Sequence, residues 1–175
     1  MSELETALKQ YFGYETFRRG QKAIIEAVYQ QQDVLAVMPT GGGKSLCYQL
    51  PALLKPGLAV VVSPLIALMQ DQVETLEKNG IPATFLNSSL TAEEARSRRL
   101  AILDGQIKLL YLAPEKLVSP ASKTFLQSVQ DQQGLSLFAI DEAHCISEWG
   151  HDFRPEYRQL KTLRSLFPNV PMIAL

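Results

Sequence analysis

Lys44 and Ser45 come directly after three glycines, in Met38-Pro39-Thr40-Gly41-Gly42-Gly43-Lys44-Ser45, and that string follows an apolar run, Val34-Leu35-Ala36-Val37. Gly41, Gly42 and Gly43 permit a tight loop whose amides turn inward around an anion. A helix opening at Lys44 would point its amino end at the same anion. The Lys44 ammonium can reach the outer phosphates of a nucleotide, and the Ser45 hydroxyl can ligate magnesium. A second apolar run, Leu137-Phe138-Ala139-Ile140, delivers Asp141-Glu142-Ala143-His144. Asp141 would hold the metal shell and Glu142 would orient a water. The chemistry within reach is binding of a nucleoside triphosphate with magnesium and attack of water on its terminal phosphoryl group. The strict phosphate-loop pattern wants glycine where Met38 stands, but the Gly-Lys-Ser core and its strand–loop–helix context are kept. Alone, the glycine string could be a solvated turn and the acidic string a helix face. Each following an apolar strand, the two support one another.

The elements that would position these residues alternate along the chain. Strand-like runs are Val34–Val37 (opened by Asp33), Leu58–Ser63, Ala83–Leu86, Lys108–Leu112, Leu135–Ile140 and Met172–Leu175. Helical patterns are Leu4–Phe12, a second from Arg18 or Gly20 to about Gln30, Lys44–Leu54, Leu65–Lys78, Thr91–Leu103, Ser122–Gln130 and Tyr157–Phe167. Strands that are apolar throughout, alternating with helices, predict an α/β fold with a mainly parallel sheet covered on both faces. Ligands of such sheets sit beyond the carboxyl ends of the strands. Five strings fall there: Pro39–Ser45, Ser63-Pro64-Leu65, Asn87-Ser88-Ser89, Ala113-Pro114-Glu115 and Asp141–His144. Taken singly, each is also what a turn requires.

Composition narrows the class further. Hydrophobic residues make up 46% of the 175 and charged residues 20%, ordinary values for a globular protein. No apolar run approaches membrane-spanning length and no signal-peptide pattern opens the chain, so a cytoplasmic location and no membrane partner are expected. Cys47 and Cys145 lack metal spacing, which predicts packing residues and no zinc site. A net charge of −1 argues against a bulk polyanion-binding surface. Positive charge clusters locally at Arg96, Arg98 and Arg99, and at Arg154, Arg158, Lys161 and Arg164, as it also would on solvated helix faces.

The chain resembles the amino-terminal motor domain of RecQ-type DNA helicases of superfamily two, along nearly its whole length. The resemblance is carried by Phe12-Gly13-Tyr14 with Phe17–Gln21, by Met38–Ser45, Val62–Gln72 and Leu86-Asn87-Ser88, and by Tyr111–Leu117. Asp141–Pro155 (DEAHCISEWGHDFRP) is its most diagnostic string. It implies a RecA-like phosphate-loop domain, with residues 1–32 forming amino-terminal helices and an adenine-reading segment and residues 33–175 the first ATP-binding domain, the two making one structural unit. It implies ATP and Mg2+ as ligands. Tyr14, Arg18 and Gln21 would then hold adenine by stacking, cation–π contact and hydrogen bonds, and Thr40 would join Gly41–Ser45 around the phosphates. His144, Trp149, Phe153 and Arg154 would sense single-stranded DNA and couple it to hydrolysis. Trp149 and Phe153 would otherwise be core aromatics and His144 a plain structural hydrogen-bonder. Arg19 stands where many relatives have proline.

In the family, the strand at Met172–Leu175 runs into a further motif and a second motor domain, which supplies the arginine that completes the ATP site. The resemblance therefore implies a truncated motor: by identity the ATP-binding half of a 3′-to-5′ helicase of recombination and repair, by behaviour a monomeric ATP-binding module with weak affinity for single-stranded or partly duplex DNA. RNA stays open as the polymer. An unrelated phosphate-loop enzyme such as a small kinase is the remaining alternative, against which Tyr14–Gln21 and the aromatic loop argue.

Overall fold

Strands apolar on both faces bury themselves only when helices cover each face. The computed structural model describes residues 2–38, 43–142 and 160–175. Among the described residues, six strands make one sheet: β1 (Val34–Leu35), β2 (Leu58–Val62), β3 (Ala83–Leu86), β4 (Leu109–Leu112), β5 (Leu135–Ile140) and β6 (Met172–Ala174). Their spatial order is β1-β6-β5-β2-β4-β3, and every pairing is parallel. The helices are α1 (Glu3–Ala7), α2 (Gln21–Tyr29), α3 (Lys44–Leu54), α4 (Ile66–Lys78), α5 (Ala92–Leu103), α6 (Pro120–Gln132) and α7 (Leu160–Leu166).

The period of two along each strand divides the core into two layers. Ala59, Val61, Tyr111 and Ala139 pack with Val28 of α2, Tyr48 of α3 and Met69 of α4. Leu58, Val60, Leu110 and Phe138 pack with Ile102 of α5, Val129 of α6 and Leu163 of α7. A third cluster joins α1 to α2 and α3 through Leu4, Leu8, Ile25 and Leu50. Register aligns the strand ends, with Val62 opposite Leu112 and Ile140, and Leu86 opposite Leu112. Ser63, Asn87, Ala113 and Asp141 therefore leave the sheet at one edge.

Several element bounds differ from the sequence expectation, each for a local reason. The first helix is α-helical only to Ala7; Leu8–Phe12 widens to π geometry, so that Tyr11 and Phe12 touch two core clusters before Gly13 ends the turn in the left-handed region (φ 75°). α6 starts earlier than expected because Ser119 caps it, accepting from Ser122 N at 3.3 Å, and Pro120 suits a first helical position. β1 pairs over two residues only: it is an edge strand, and Leu35 and Val37 are exposed. Asp33, expected to open β1, instead ties it to the end of the chain by accepting from Met172 N (2.9 Å) and Arg164 Nη2 (2.8 Å).

Two arginines of the basic clusters are structural. Arg98 lies over the Phe85 ring, 4.3 Å from its centroid, and donates to Thr84 Oγ1 at 3.1 Å. Arg164 also donates to the carbonyls of Pro168 and Val170. No helix among the described residues is long and apolar enough to cross a membrane.

Candidate nucleotide-binding site

The site is built where the amino-terminal segment meets α3. Gly43 precedes α3 in the left-handed region (φ 79°), and a Cβ there would collide with the amide nitrogen of Gln21. Gln21 is buried and makes the junction: its Oε1 accepts from Arg18 N at 2.7 Å and its Nε2 donates to the Gly43 carbonyl at 3.2 Å. The expected base-reading amide is thus engaged within the chain, fastening the adenine-reading segment to the end of the phosphate loop. A carboxamide can make up to four hydrogen bonds, so these two do not exhaust it.

Tyr14, Arg18, Gln21, Gly43, Ser45 and Gln49 line a cleft of about 350 Å³, with Thr75 of α4 and Asn79 just after it also in the lining. Tyr14 is 54% exposed, leaving its ring face available for stacking. Met38, in the place of the usual glycine, packs on the core with its sulfur 3.6 Å from Cys47 Sγ. Cys47 is fully buried, and burial pushes its thiol up to about 11, as suits a packing residue and not a nucleophile.

Asp141 leaves β5 beside this cleft. Burial raises its pKa, and the neighbouring Glu142 carboxylate adds to the rise. The Glu142 N–H (3.0 Å from Oδ1), the Lys44 charge and the Ser63 hydroxyl act in the opposite direction. Glu142 itself takes a left-handed backbone (φ 57°), uncommon for a residue with a Cβ. A half-buried carboxyl disfavoured as an anion gains from a cation beside it, so Asp141 with the Ser45 hydroxyl fits magnesium, which takes few protein oxygens and keeps waters or phosphate oxygens for the rest. Among the described residues no group of three or more His, Cys, Asp or Glu side chains could hold a metal ion.

The structure brings Tyr14, Arg18, Gln21, Gly43, Ser45, Lys44 and Asp141 to one region. Thr40, Gly41, Gly42, His144, Trp149, Phe153 and Arg154 lie outside the described residues, as does Cys145. Sequence reasoning named Tyr111 only within the Tyr111–Leu117 string and passed over Tyr48 and Gln49; the hydroxyls of the buried Tyr48 and Tyr111 lie 2.9 Å apart, and Gln49 Nε2 donates to the Tyr111 hydroxyl at 3.0 Å. A usable signal existed: a tyrosine inside the apolar strand Leu109-Leu110-Tyr111-Leu112 must find a partner for its hydroxyl. A separate cavity of about 510 Å³ lies at the carboxyl ends of β3 and β4, where Asn87, Arg99, Glu115 and Lys116 meet. Asn87 is buried, and its Oδ1 accepts from Ser89 N at 2.9 Å, which is turn chemistry.

A parallel sheet with a glycine-led helix on one side and an acidic pair at the carboxyl end of β5 is the frame of a phosphate-loop domain. The DEAD/DEAH box helicase family model matches residues 18–175, and the chain belongs to that family. Its relatives place it more narrowly. It is 52% identical over 170 residues to the ATP-dependent DNA helicase RecQ of Haemophilus influenzae, covering 97% of this chain and 27% of that protein. It is 46% identical over 170 residues to the ATP-dependent DNA helicase RecQ of Bacillus subtilis, covering 97% of this chain and 28% of that one. The chain thus spans about a quarter of the length of these curated relatives. Among solved structures, the DUF1998 helicase MrfA bound to DNA superposes with a TM-score of 0.76 over 99% of this chain and 26% of that one, at 20% identity. A hypothetical ATP-dependent RNA helicase from Sulfolobus tokodaii gives 0.70 over 100% of this chain and 50% of that one, at 21% identity. At these identities the likeness is one of fold.

Proposed function

We propose that this chain binds ATP with magnesium in the cleft between Tyr14–Gln21 and α3, and is the ATP-binding motor domain of a longer RecQ-like 3′-to-5′ DNA helicase of recombination and repair. The observation that supports this best is the Lys44 charge acting on Asp141 at one sheet edge, next to a cleft lined by Tyr14, Arg18, Gln21 and Ser45. Tyr14 and Arg18 hold the adenine, and Gln21 fixes the segment that carries them. Thr40 and Gly41–Gly43 present amides to the phosphates, and Lys44 adds a charge-assisted contact. Magnesium, when bound, neutralises charge across the phosphates, and Ser45 and Asp141 hold it. Glu142 orients the attacking water. His144, Trp149, Phe153 and Arg154 sense single-stranded DNA.

The test is titration calorimetry of ATP with magnesium. Lys44→Ala is expected to weaken binding by about 1.5–3 kcal/mol, roughly 10- to 150-fold. Equal affinities in the two proteins would end the phosphate-loop assignment.

A second reading describes the 175 residues on their own, as a nucleotide-binding module with slow turnover. It follows from the family resemblance, which puts the arginine facing the transferring phosphoryl group on a second domain; such a residue is worth about 10³–10⁵ in rate where measured. Turnover at ordinary motor rates, lost in Glu142→Gln, would overturn this reading. In a full-length relative carrying the aromatic loop, Trp149→Ala is expected to depress DNA-stimulated hydrolysis while sparing ATP affinity; equal stimulation in the variant would end the DNA-sensing assignment.

A further inference from the structure

Where α2 and α3 end and β2 and β5 begin, at the edge of the sheet opposite the nucleotide cleft, lies a cavity of about 450 Å³ with Leu54, Lys55, Pro56, Leu135 and Ser136 in its wall. Lys55 is 7% exposed, and its ammonium has no carboxylate partner among the described residues. Its one hydrogen bond there is long, 3.5 Å to the Val28 carbonyl in the last turn of α2. Lys108 holds the backbone of the same residue, donating from Nζ to the Lys55 carbonyl. Burial without a counter-charge lowers the Lys55 pKa. Ser136 is 3% exposed, and its hydroxyl is the one buried side-chain polar group left without a hydrogen-bond partner among the described residues. It sits on a bulge: Leu58 faces Leu135 and Ala59 faces Leu137, so Ser136 is an extra residue in β5. A charge buried without a counter-ion and a hydroxyl buried without a partner each cost free energy, and one anion with an apolar body would relieve both.

We propose that this cavity binds a monocarboxylate with an apolar body, its carboxylate engaging the Lys55 ammonium and the Ser136 hydroxyl and its body lying against Leu54, Pro56 and Leu135. Lys55 is held at its carbonyl by Lys108 and at its ammonium by Val28, so little side-chain freedom is lost on binding. A serine hydroxyl turns about a single bond among staggered positions, so Ser136 can swing from the wall to donate to a bound oxygen. Charge selects the ligand. One ammonium already faces the partial negative charge at the carboxyl ends of α2 and α3, so a single negative charge is the most it balances. A phosphate carries up to two charges and wants a nest of donors, which one lysine and one serine between apolar walls do not supply. The plainer role for Lys55 is to cap α2, but that leaves the Ser136 hydroxyl unexplained. Along β5, Ser136 is roughly 16 Å from Asp141, so this site stands apart from the nucleotide cleft and does not rest on the nucleotide reading.

The probe is phenylacetate, with neutral phenylacetamide and inorganic phosphate for comparison. Each is titrated into the wild type, Lys55→Met and Ser136→Ala, followed by calorimetry and by amide NMR shifts, with melting temperatures alongside. In the wild type, phenylacetate is expected to shift the amides of Lys55, Leu135 and Ser136 and to bind about 10-fold or more tighter than the neutral amide, as a charge-assisted contact should. Lys55→Met keeps the length of the side chain and removes its charge, so acid and amide are expected to bind within about 2-fold of each other. Ser136→Ala is expected to weaken phenylacetate by about 3- to 10-fold, the worth of one hydrogen bond, and the neutral amide less. Phosphate is expected to leave the three amides unshifted. Phenylacetate that does not shift them, equal affinity of acid and amide in the wild type, or stronger binding of phosphate would each overturn the proposal. So would a Lys55→Met protein that melts lower yet keeps its preference for the acid, since Lys55 would then be a helix cap only. If Lys55→Met does not fold, Ser136→Ala decides: undiminished affinity for phenylacetate in that variant overturns the site.

Discussion

Asp141 carries a conflict that can be measured. Burial and Glu142 raise its folded-state pKa above the ordinary 3.8. Between those two values the native state holds a proton that the unfolded chain has lost. Any stability from this group is therefore greatest at low pH and falls as pH rises through the folded value. Once pH has risen past the folded value, the metal-free chain bears the full penalty. Asp141→Asn removes the charge and keeps most of the hydrogen-bonding shape, so its melting temperature without magnesium is expected to exceed that of the wild type at neutral pH. The difference should shrink as pH approaches the ordinary carboxyl range, and the magnesium-dependent gain in ATP affinity should disappear. A lower melting temperature for the variant at neutral pH would mean that the Ser63 and Glu142 N–H contacts outweigh burial.

At the scale of elements, two glycines separate the site from its support. Gly43 ends the phosphate loop in a left-handed conformation against Gln21, so Gly43→Ala strains the backbone and displaces the amide that links the amino-terminal segment to α3. A cost of about 1–2 kcal/mol in stability is expected, together with weaker ATP binding. Gly57 precedes β2 at the opposite edge, with φ 97° and a would-be Cβ only 2.6 Å from the Gly134 carbonyl oxygen at the start of β5. Gly57→Ala is expected to cost about 1–3 kcal/mol in urea unfolding with ATP affinity unchanged, because it strains the far ends of two strands and touches nothing in the cleft. Equal effects of the two substitutions on ATP affinity would show that the edges are coupled through the sheet.

At the scale of the molecule, β5 is the strand that both layers depend on. It lies between β2 and β6, and its carboxyl end delivers Asp141. Phe138 sits at its middle, fully buried, with its ring 5.7 Å from that of Phe167 just beyond α7. Phe138→Ala is expected to cost about 3–5 kcal/mol in denaturant unfolding, the loss typical of a buried aromatic. A loss below about 1 kcal/mol would mean that the layer of α5, α6 and α7 closes over the gap, which a core packed at crystal-like density does poorly.

The sequence by itself determined the alternation of helices and strands, the parallel sheet and the edge at which the polar strings gather, because strands apolar throughout need cover on both sides and deliver their ligands at their carboxyl ends. It also singled out Lys44, Ser45 and Asp141 as site candidates, because short runs such as Gly-Gly-Gly-Lys-Ser bear local signatures. Only the tertiary structure decided the spatial order of the strands, which strand face meets which helices, and what long-range partners each polar side chain takes. Gln21 is turned to Gly43, 22 residues away; Tyr48 to Tyr111, 63 away; Arg164 to Asp33, 131 away. A tyrosine in an apolar strand announces that its hydroxyl must be satisfied, but any of several helices could have met that demand. Topology and register choose among them, and neither is a local property of the chain.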